Sequence, residues 1–405
     1  MKNNQYFKGF GLGMLCCFSM CLLLLLVMNF FGMAKFNISF SGAGGQESLR
    51  QKVSRKVNTL EAYIDRYFLE EIDEEKMADS IYKGVIAGLD DDYAAYYTAE
   101  EYKDIMEKTN GVYCGIGAYI SVDSETGVVS ILKPMKNSPA EKAGVKAGDI
   151  IYAVDDREVT GMEISQVQAL VKGEQYSKVV LTLLRNNEEK KITVVRDEIE
   201  DETVASQMLD NKIGYVQVTG FEQVTPEQFS DAIDSLEKQD EKGLIIDLRD
   251  NGGGLLDSAV DMLDTMLPEG LVVYSMDKDG QRQEYMAEEP DAFEKPVVIL
   301  VNKNSASASE VFSGAMQDRK AAVLMGSQTF GKGIVQSVFD LRDGSALKMT
   351  TAKYYTPEGR DIHGKGLTPD IEVEYTKQKE KLPETGIQVD NQIKAAVDYL
   401  TEQTE

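Results

Sequence analysis

The stretch V-V-I-L-V-N-K-N-S-A-S-A-S-E-V-F, residues 297–312, joins five apolar residues to a polar turn and then to a helical pattern. A short, continuous apolar run is typical of a strand that is buried on both faces of a sheet. Ser307 stands three residues before Glu310, which is the spacing of a capping box, so a helix is predicted to begin here. The stretch therefore predicts a strand–turn–helix unit whose turn carries three alternate serines.

The same pattern occurs twice upstream. L-I-I-D-L, residues 244–248, precedes the turn R-D-N-G-G-G and a helical segment, and I-G-Y-V-Q-V, residues 213–218, precedes a helix with a threonine cap and a proline entry. Residues 334–354 alternate as antiparallel strands do. We therefore expect an α/β core with a mixed sheet.

Residues 111–198 have a different character, with alternating strands around the helical segment I-S-Q-V-Q-A-L-V. Together with N-S-P-A-E-K-A-G-V-K-A-G-D-I-I at 137–151, this order resembles a PDZ domain. The resemblance implies that the G-I-G-A turn presents backbone N–H groups to the terminal carboxylate of a peptide. The residues of that turn are Gly115, Ile116, Gly117 and Ala118. Alternatively, the two glycines only supply a tight turn.

Composition excludes some classes of partner. The 405 residues carry a net charge of −25, which argues against nucleic-acid binding because phosphate neutralisation needs a basic surface. Three of the four cysteines lie within residues 9–34, and only Cys114 lies outside that segment. The remainder can form no internal disulfide and has no cysteine-based metal site.

Residues 9–34 are uncharged and apolar, and a helix of that length rises roughly 39 Å, enough to cross a bilayer. Flanking lysines favour a cytoplasmic N-terminus and an external remainder, with a cleaved signal peptide as the alternative. The helical pattern of residues 47–108 predicts a packing or dimerisation arm. L-P-E-T-G, residues 382–386, matches a sortase signal, but an amphipathic helix follows it instead of an apolar segment.

The chemistry could reside in Ser307 and in T-F-G-K-G-I-V-Q, residues 329–336. A serine between a buried strand and a helix is well placed for a nucleophile, although Ser307 could merely cap the helix. Lys332, if partly buried, would have a lowered pKa and could act as a base, and Gln336 could hold its amine. Otherwise Lys332 is a surface lysine.

Three motifs, D-L-R-D-N-G-G-G (247–254), N-K-N-S-A-S-A-S-E (302–310) and F-G-K-G-I-V-Q (330–336), together resemble those of the C-terminal processing peptidases. The resemblance extends over about residues 50–400. The resemblance implies that Ser307 is the nucleophile, Lys332 the general base and Gln336 the residue that orients it, so no histidine is required. It places the oxyanion donors on Ala308 and on the glycine turn, where Gly253 is chosen and Gly254 is the near alternative. Lys172 stands where a relative has an arginine linked to activation, so that switch is in doubt here.

We therefore expect a membrane-anchored serine endopeptidase that acts outside the cytoplasm on apolar C-terminal tails, as a possible homodimer and without a metal or cofactor. Its rivals are a noncatalytic PDZ scaffold and a Ser/His/Asp hydrolase that uses His363, the single histidine. The expected segments are a stub and transmembrane anchor (1–35), a linker (36–48), a helical arm (49–108), a PDZ domain (109–198), a protease core (199–376) and a C-terminal linker and helix (377–405).

Overall fold

The computed structural model describes residues 47–290 and 292–404. Its helices are α1 (Leu49–Tyr67), α2 (Glu74–Ala87), α3 (Ala99–Asn110), α4 (Pro139–Lys142), α5 (Ile164–Val171), α6 (Thr225–Glu237), α7 (Leu256–Met266), α8 (Ala308–Asp318) and α9 (Asn391–Thr404). The transmembrane helix predicted for residues 9–34 lies outside the described residues. None of the helices between residues 49 and 404 is long and apolar enough to cross a membrane.

The strands of the first half are β1 (Ala95–Tyr97), β2 (Val112–Gly115), β3 (Ala118–Val122), β4 (Val129–Pro134), β5 (Ile150–Val154), β6 (Arg157–Glu158), β7 (Lys178–Arg185), β8 (Glu188–Val195), β9 (Asp197–Glu200) and β10 (Val204–Met208). Those of the second half are β11 (Ile213–Val218), β12 (Gly243–Asp247), β13 (Gly270–Asp277), β14 (Arg282–Ala287), β15 (Val297–Val301), β16 (Val323–Gly326), β17 (Ile334–Asp340), β18 (Ala346–Tyr355), β19 (Ile371–Glu372), β20 (Lys379–Lys381) and β21 (Gln388–Asp390).

The described residues divide into two compact units, with the boundary between Glu74 and Glu75. In the first unit, α1 begins with a capping box between Ser48 and Gln51. In the second unit, α3 begins with a capping box between Thr98 and Glu101. The helical pattern of the arm is therefore confirmed for these segments, although strand β1, which pairs with β18, was not predicted.

The central sheet has the order β10-β11-β12-β15-β16-β19. Strands β11 to β19 of this sheet are parallel, and β10 joins the edge antiparallel to β11. Every residue of β12 and β15 is buried. The continuous apolar runs therefore form a sheet that is covered on both faces, as predicted.

Alternate residues of these strands face two separate cores. Ile246 and Ile299 pack with α6, α7 and α8, in the cluster that contains Phe229 and Phe312. Ile245 and Val298 face the opposite side and pack with α9. Helices on both faces of a mostly parallel sheet confirm the predicted mixed α/β core.

A second sheet is antiparallel, and its strands alternate in sequence with those of the core sheet. Its order is β1-β18-β13-β14, with β17 also paired to β18, so the antiparallel strands predicted for residues 334–354 are present and form a hairpin. A β-bulge between Val335 and Gln336 shifts the register of this hairpin. The bulge lies a few residues after Lys332.

The PDZ-like segment folds around its own core. Strands β3, β4, β5, β7 and β8 form an antiparallel sheet with β6 at β5, and α5 covers the same residues as the predicted helical segment. Buried Ile131, Val167 and Leu181 belong to this core. The ribbon of β2 and β9 connects the segment to its neighbours. The predicted PDZ domain is therefore present.

The L-P-E-T-G segment is folded against the core. Leu382 is buried, and the backbone amides of Glu384 and Thr385 donate to the carboxylate of Asp210 at 2.8 and 2.5 Å. The segment connects β20 to β21, and α9 follows. It is a turn that leads to α9, in agreement with the amphipathic helix that was expected after it.

Candidate active site

Three sequence motifs meet because of the sheet topology. Strands β12, β15 and β16 are consecutive parallel neighbours, and their carboxyl ends lie at one edge of the sheet. The glycine turn follows β12, the serine turn follows β15 and the lysine loop follows β16. Loops at the carboxyl ends of adjacent parallel strands form the usual ligand-binding crevice of such sheets.

Ser307 immediately precedes α8 in a strained backbone conformation. Its φ is 57° and its ψ is −117°, a region that is costly for a residue with a Cβ, and the residue is 7% exposed. The amide of Glu310 donates to the Ser307 carbonyl oxygen at 2.8 Å, and the Ser307 amide donates to the Glu310 carboxylate at 3.0 Å. Because these two bonds do not use the Ser307 hydroxyl, helix capping does not account for that hydroxyl by itself.

The start of α8 leaves one amide available. The amides of Ser307 and Glu310 are bonded as above, and the Ser309 amide donates to the Ala306 carbonyl at 3.2 Å. The Ala308 amide is the first of the helix and has no intrahelical acceptor. A helix N-terminus favours negative charge, so this amide is suited to an oxyanion.

The amine of Lys332 is half-buried. Its Nζ lies 3.4 Å from Gln336 Oε1, at the long end of hydrogen bonding, and 4.6 Å above the ring centre of Tyr93. Burial lowers the pKa of Lys332, and the positive charge of Lys348 lowers it further. Both causes favour a neutral amine, which is the form that can accept a proton.

The buried carboxylate of Glu310 connects the serine turn to the lysine loop. Its Oε1 accepts from Thr329 Oγ1 at 2.5 Å and from the Gly331 amide at 2.7 Å. Its Oε2 accepts from the Ser307 amide at 3.0 Å and from the Lys332 amide at 2.8 Å. These last two nitrogens share one oxygen and therefore lie within about 6 Å of each other. The capping-box pattern identified Glu310 as a cap, but the bonds to the lysine loop were not predictable from it.

The glycine turn lies directly against the serine turn. A Cβ on Gly253, whose φ is 97°, would lie 2.6 Å from the Ala306 carbonyl oxygen and 2.9 Å from the Ala308 nitrogen. The Gly253 amide donates to Asn251 Oδ1 at 2.8 Å. Within the described part of the chain, the Gly254 amide has no protein acceptor. Only glycine allows this approach at position 253. Within the described residues, the amides of Gly254 and Gly252 are the donors of this turn that lack a protein acceptor.

Tyr354 is a further neighbour of Ser307 that the sequence did not indicate. The residue is 5% exposed, and its burial raises the pKa of the phenol, while the nearby Ser307 side chain opposes that rise. The phenol therefore remains protonated near neutral pH. It can keep the Ser307 hydroxyl oriented within the site.

His363 lacks the surroundings of a catalytic histidine. Its backbone amide donates to Asp361 at 3.0 Å, whereas its ring Nδ1 is buried without a hydrogen-bond partner. A Ser/His/Asp triad requires a carboxylate on that nitrogen. Within residues 47–290 and 292–404 this arrangement is absent, which disfavours the triad alternative.

The G-I-G-A turn lines the PDZ groove. Residues Gly115–Ala118 and α5 border a cavity of about 750 Å³, and Gly117 has a φ of 67°. Lys172, at the end of α5, pairs with Glu107 of α3 at 3.1 Å and lies 4.8 Å from the ring centre of Tyr113. Both charged groups remain partly exposed, so this pair is a weak link across the groove.

Comparison with known proteins defines the class. Residues 212–373 match the model of peptidase family S41, and residues 130–185 match a PDZ domain. The chain is 38% identical over 334 residues to the carboxy-terminal processing protease CtpA of Bacillus subtilis (strain 168), covering 82% of this chain and 71% of that protein. It is 35% identical over 323 residues to the carboxyl-terminal-processing protease of Synechocystis sp., covering 78% and 75%. A serine-type endopeptidase with a PDZ domain follows from these matches.

A solved photosystem II D1 C-terminal processing protease is 31% identical, with a TM-score of 0.47, and the match covers 78% of this chain and 86% of that structure. At the identity and coverage of the Bacillus subtilis relative, the chain belongs to peptidase family S41, among the carboxy-terminal processing proteases. The resemblance stated from the sequence motifs is therefore confirmed.

Proposed function

We propose that the chain is a membrane-anchored endopeptidase that cleaves proteins outside the cytoplasm with a Ser307/Lys332 dyad. The observation that carries the proposal is the Glu310 carboxylate, which binds the Ser307 and Lys332 amides with one oxygen. A shared anchor keeps a nucleophile and a base in one small volume, which is the geometric requirement of a dyad.

In the proposed reaction, neutral Lys332 accepts the proton of the Ser307 hydroxyl as Ser307 attacks the peptide carbonyl. Gln336 holds the amine, which its 3.4 Å contact supports. The acyl-enzyme forms as the amine of the leaving peptide takes the proton back, and water then releases the acyl group through the same base.

The oxyanion of the tetrahedral intermediate is held by two backbone amides. Ala308 supplies the first, because the neighbouring amides of the helix start are occupied. The glycine turn supplies the second. The Gly253 amide can bind the oxyanion only if its hydrogen bond to Asn251 Oδ1 breaks, whereas the Gly254 amide has no acceptor in this conformation. Loss of one such donor typically costs about 10²–10³ in turnover.

The PDZ domain recognises the substrate by its C-terminal tail. Gly115, Ile116, Gly117 and Ala118 form the turn that receives the terminal carboxylate, and the groove beside α5 receives apolar side chains. The names of the relatives, which process carboxyl termini, support this assignment.

The dyad is tested with the full chain in detergent micelles and an unfolded protein that ends in apolar residues. Mass spectrometry of the products should detect cleavage by the wild type but not by Ser307→Ala or Lys332→Ala. Lys365→Ala is the matched control, because Lys365 is an exposed lysine in a long ion pair of 3.9 Å. Equal cleavage by all four proteins would refute the dyad, and tail binding without any cleavage would favour the scaffold alternative.

The membrane anchor is tested separately. The full chain should remain with membranes during alkaline extraction, whereas a chain that begins after residue 35 should be released. External protease added to intact cells should reach the core if it lies outside the cytoplasm. Release of the full chain, or complete protection of its core, would contradict this part of the proposal.

A further inference from the structure

Asn251 is a fully buried amide at the centre of the glycine turn. It is 0% exposed, its Oδ1 accepts from the Gly253 amide at 2.8 Å, and its Nδ2 donates to the Val218 carbonyl at 2.8 Å. The side chain therefore fixes the glycine turn relative to the end of β11. A buried amide that lost these partners would leave polar groups unsatisfied.

The backbone of Asn251 is bonded to the serine turn. Its carbonyl oxygen accepts from the Ala306 amide at 3.1 Å and from Ser309 Oγ at 2.9 Å. These two donors flank Ser307 and Ala308 in sequence. Asn251 thus holds the glycine turn with its side chain and the serine turn with its main chain.

The separation of the two turns leaves almost no tolerance. A Cβ on Gly253 would lie only 2.6–2.9 Å from atoms of Ala306, Ser307 and Ala308, which is too close for either turn to accommodate. If the anchor at Asn251 were lost, the turns could relax only by moving apart or by rotating a peptide plane. Either movement would displace amides that must converge on one oxygen atom.

We propose that Asn251 is a positioning residue that sets the geometry of the oxyanion hole. The inference rests on the proposed role of Ser307 as the nucleophile. Asn251 acts through the amides of Ala308 and the glycine turn. Its effect therefore appears when negative charge develops on the substrate oxygen, and not when the peptide first binds.

The experiment compares turnover with the affinity for a peptide aldehyde, which adds reversibly to the Ser307 hydroxyl and places an oxyanion in the hole. Full-length Asn251→Ala in detergent should show a kcat lower by about 10²–10³, and the aldehyde should bind more weakly by a similar factor. The KM should stay within about threefold of the wild-type value, because ground-state binding is retained.

Ser309→Ala provides a milder variant in case Asn251→Ala fails to fold. It removes only the bond to the Asn251 carbonyl, and it should reduce kcat and aldehyde affinity together by about fivefold. Gln228→Ala is the matched control. Its amide accepts from the Thr203 amide at 2.9 Å and donates to the Asp201 carbonyl at 2.8 Å, away from both turns, so kcat and aldehyde affinity should be unchanged.

The Ser307→Ala variant distinguishes a failure of the proposed function from a failure of the positioning role of Asn251. If Ser307→Ala still cleaves, the proposed function fails and this inference fails with it. If Ser307→Ala is inactive while the folded Asn251 and Ser309 variants bind the aldehyde as the wild type does, only the positioning role is overturned. A raised KM with unchanged kcat would also overturn it.

Discussion

Replacement of Glu310 by glutamine should separate the serine turn from the lysine loop. The carboxylate accepts four hydrogen bonds, two on each oxygen, from Ser307, Thr329, Gly331 and Lys332. An amide retains one oxygen and directs its NH₂ group at the other pair of donors. If the NH₂ group points at Ser307 and Lys332, two backbone amides face a donor. If it points at Thr329 and Gly331, the Gly331 amide faces a donor, whereas the Thr329 hydroxyl can turn and accept.

The expected loss of stability and of kcat follows from these bonds. Hydrogen bonds to a charged group contribute about 1.5–3 kcal/mol each, so the loss of one or two costs roughly 1.5–6 kcal/mol. A protein domain typically has about 5–15 kcal/mol of stability, so Glu310→Gln should still fold, with displaced turns. A displacement of about 1 Å at reacting groups can cost about 10² in rate. We therefore expect kcat to fall by about 10² with KM within about threefold.

The assay is steady-state cleavage of a tail-bearing substrate, with thermal unfolding recorded on the same samples. Glu241→Gln is the control, because Glu241 is also buried and pairs with Lys295 at 2.5 Å, outside the serine and lysine turns. It should lower the unfolding temperature but preserve kcat. A Glu310→Gln variant with wild-type kcat would refute the role of Glu310 as a link.

Three further predictions concern the same site. Lys348→Gln removes a positive charge that lowers the pKa of Lys332, so that pKa should rise. In the proposed mechanism only the neutral amine is active, so the acidic limb of the pH profile of kcat/KM should move to higher pH while the alkaline plateau is retained; an unshifted limb would contradict this. His363→Ala should keep kcat within about threefold in the cleavage assay, and loss of activity would restore the histidine hypothesis. Gly253→Ala would bring a Cβ to 2.6 Å from the Ala306 carbonyl oxygen, so kcat should fall by about 10² or more while circular dichroism remains native.

Local patterns predicted the elements of the fold that are themselves local. The apolar runs at β12 and β15, the helix start at Ser307 and the PDZ helix α5 are set by periodicity and capping, so the sequence contains them directly. Strand β1, in contrast, is three residues long and exists because it pairs with β18, about 250 residues away. Such a strand has no recognisable pattern of its own.

The same distinction applies to the site. Ser307 and Lys332 stand in conspicuous motifs, and the family resemblance nominates them. Asn251 stands inside the glycine-turn motif, although the motif does not assign it a role, and Tyr354 stands in none of the motifs. The roles of both residues depend on contacts with segments far away along the chain. The choice of Gly253 as an oxyanion donor could not anticipate that its amide is bonded to Asn251. Backbone donors depend on turn conformation, which the residue types only restrict.

The placement of negative charge is compatible with the proposed role of Lys332 as a base beside a carboxylate. A carboxylate that faced the amine of Lys332 would stabilise the ammonium form and raise the pKa. Glu310 instead directs both oxygens at backbone amides and at Thr329, and the causes that shift the pKa of Lys332 are burial and Lys348, both of which lower it. The carboxylate can therefore fix the main chain of the lysine loop without charging its side chain. An arginine or lysine introduced beside Glu310 would compete with the backbone amides for the two carboxylate oxygens. Glu310 could then no longer fix the main chain of the lysine loop as it does here.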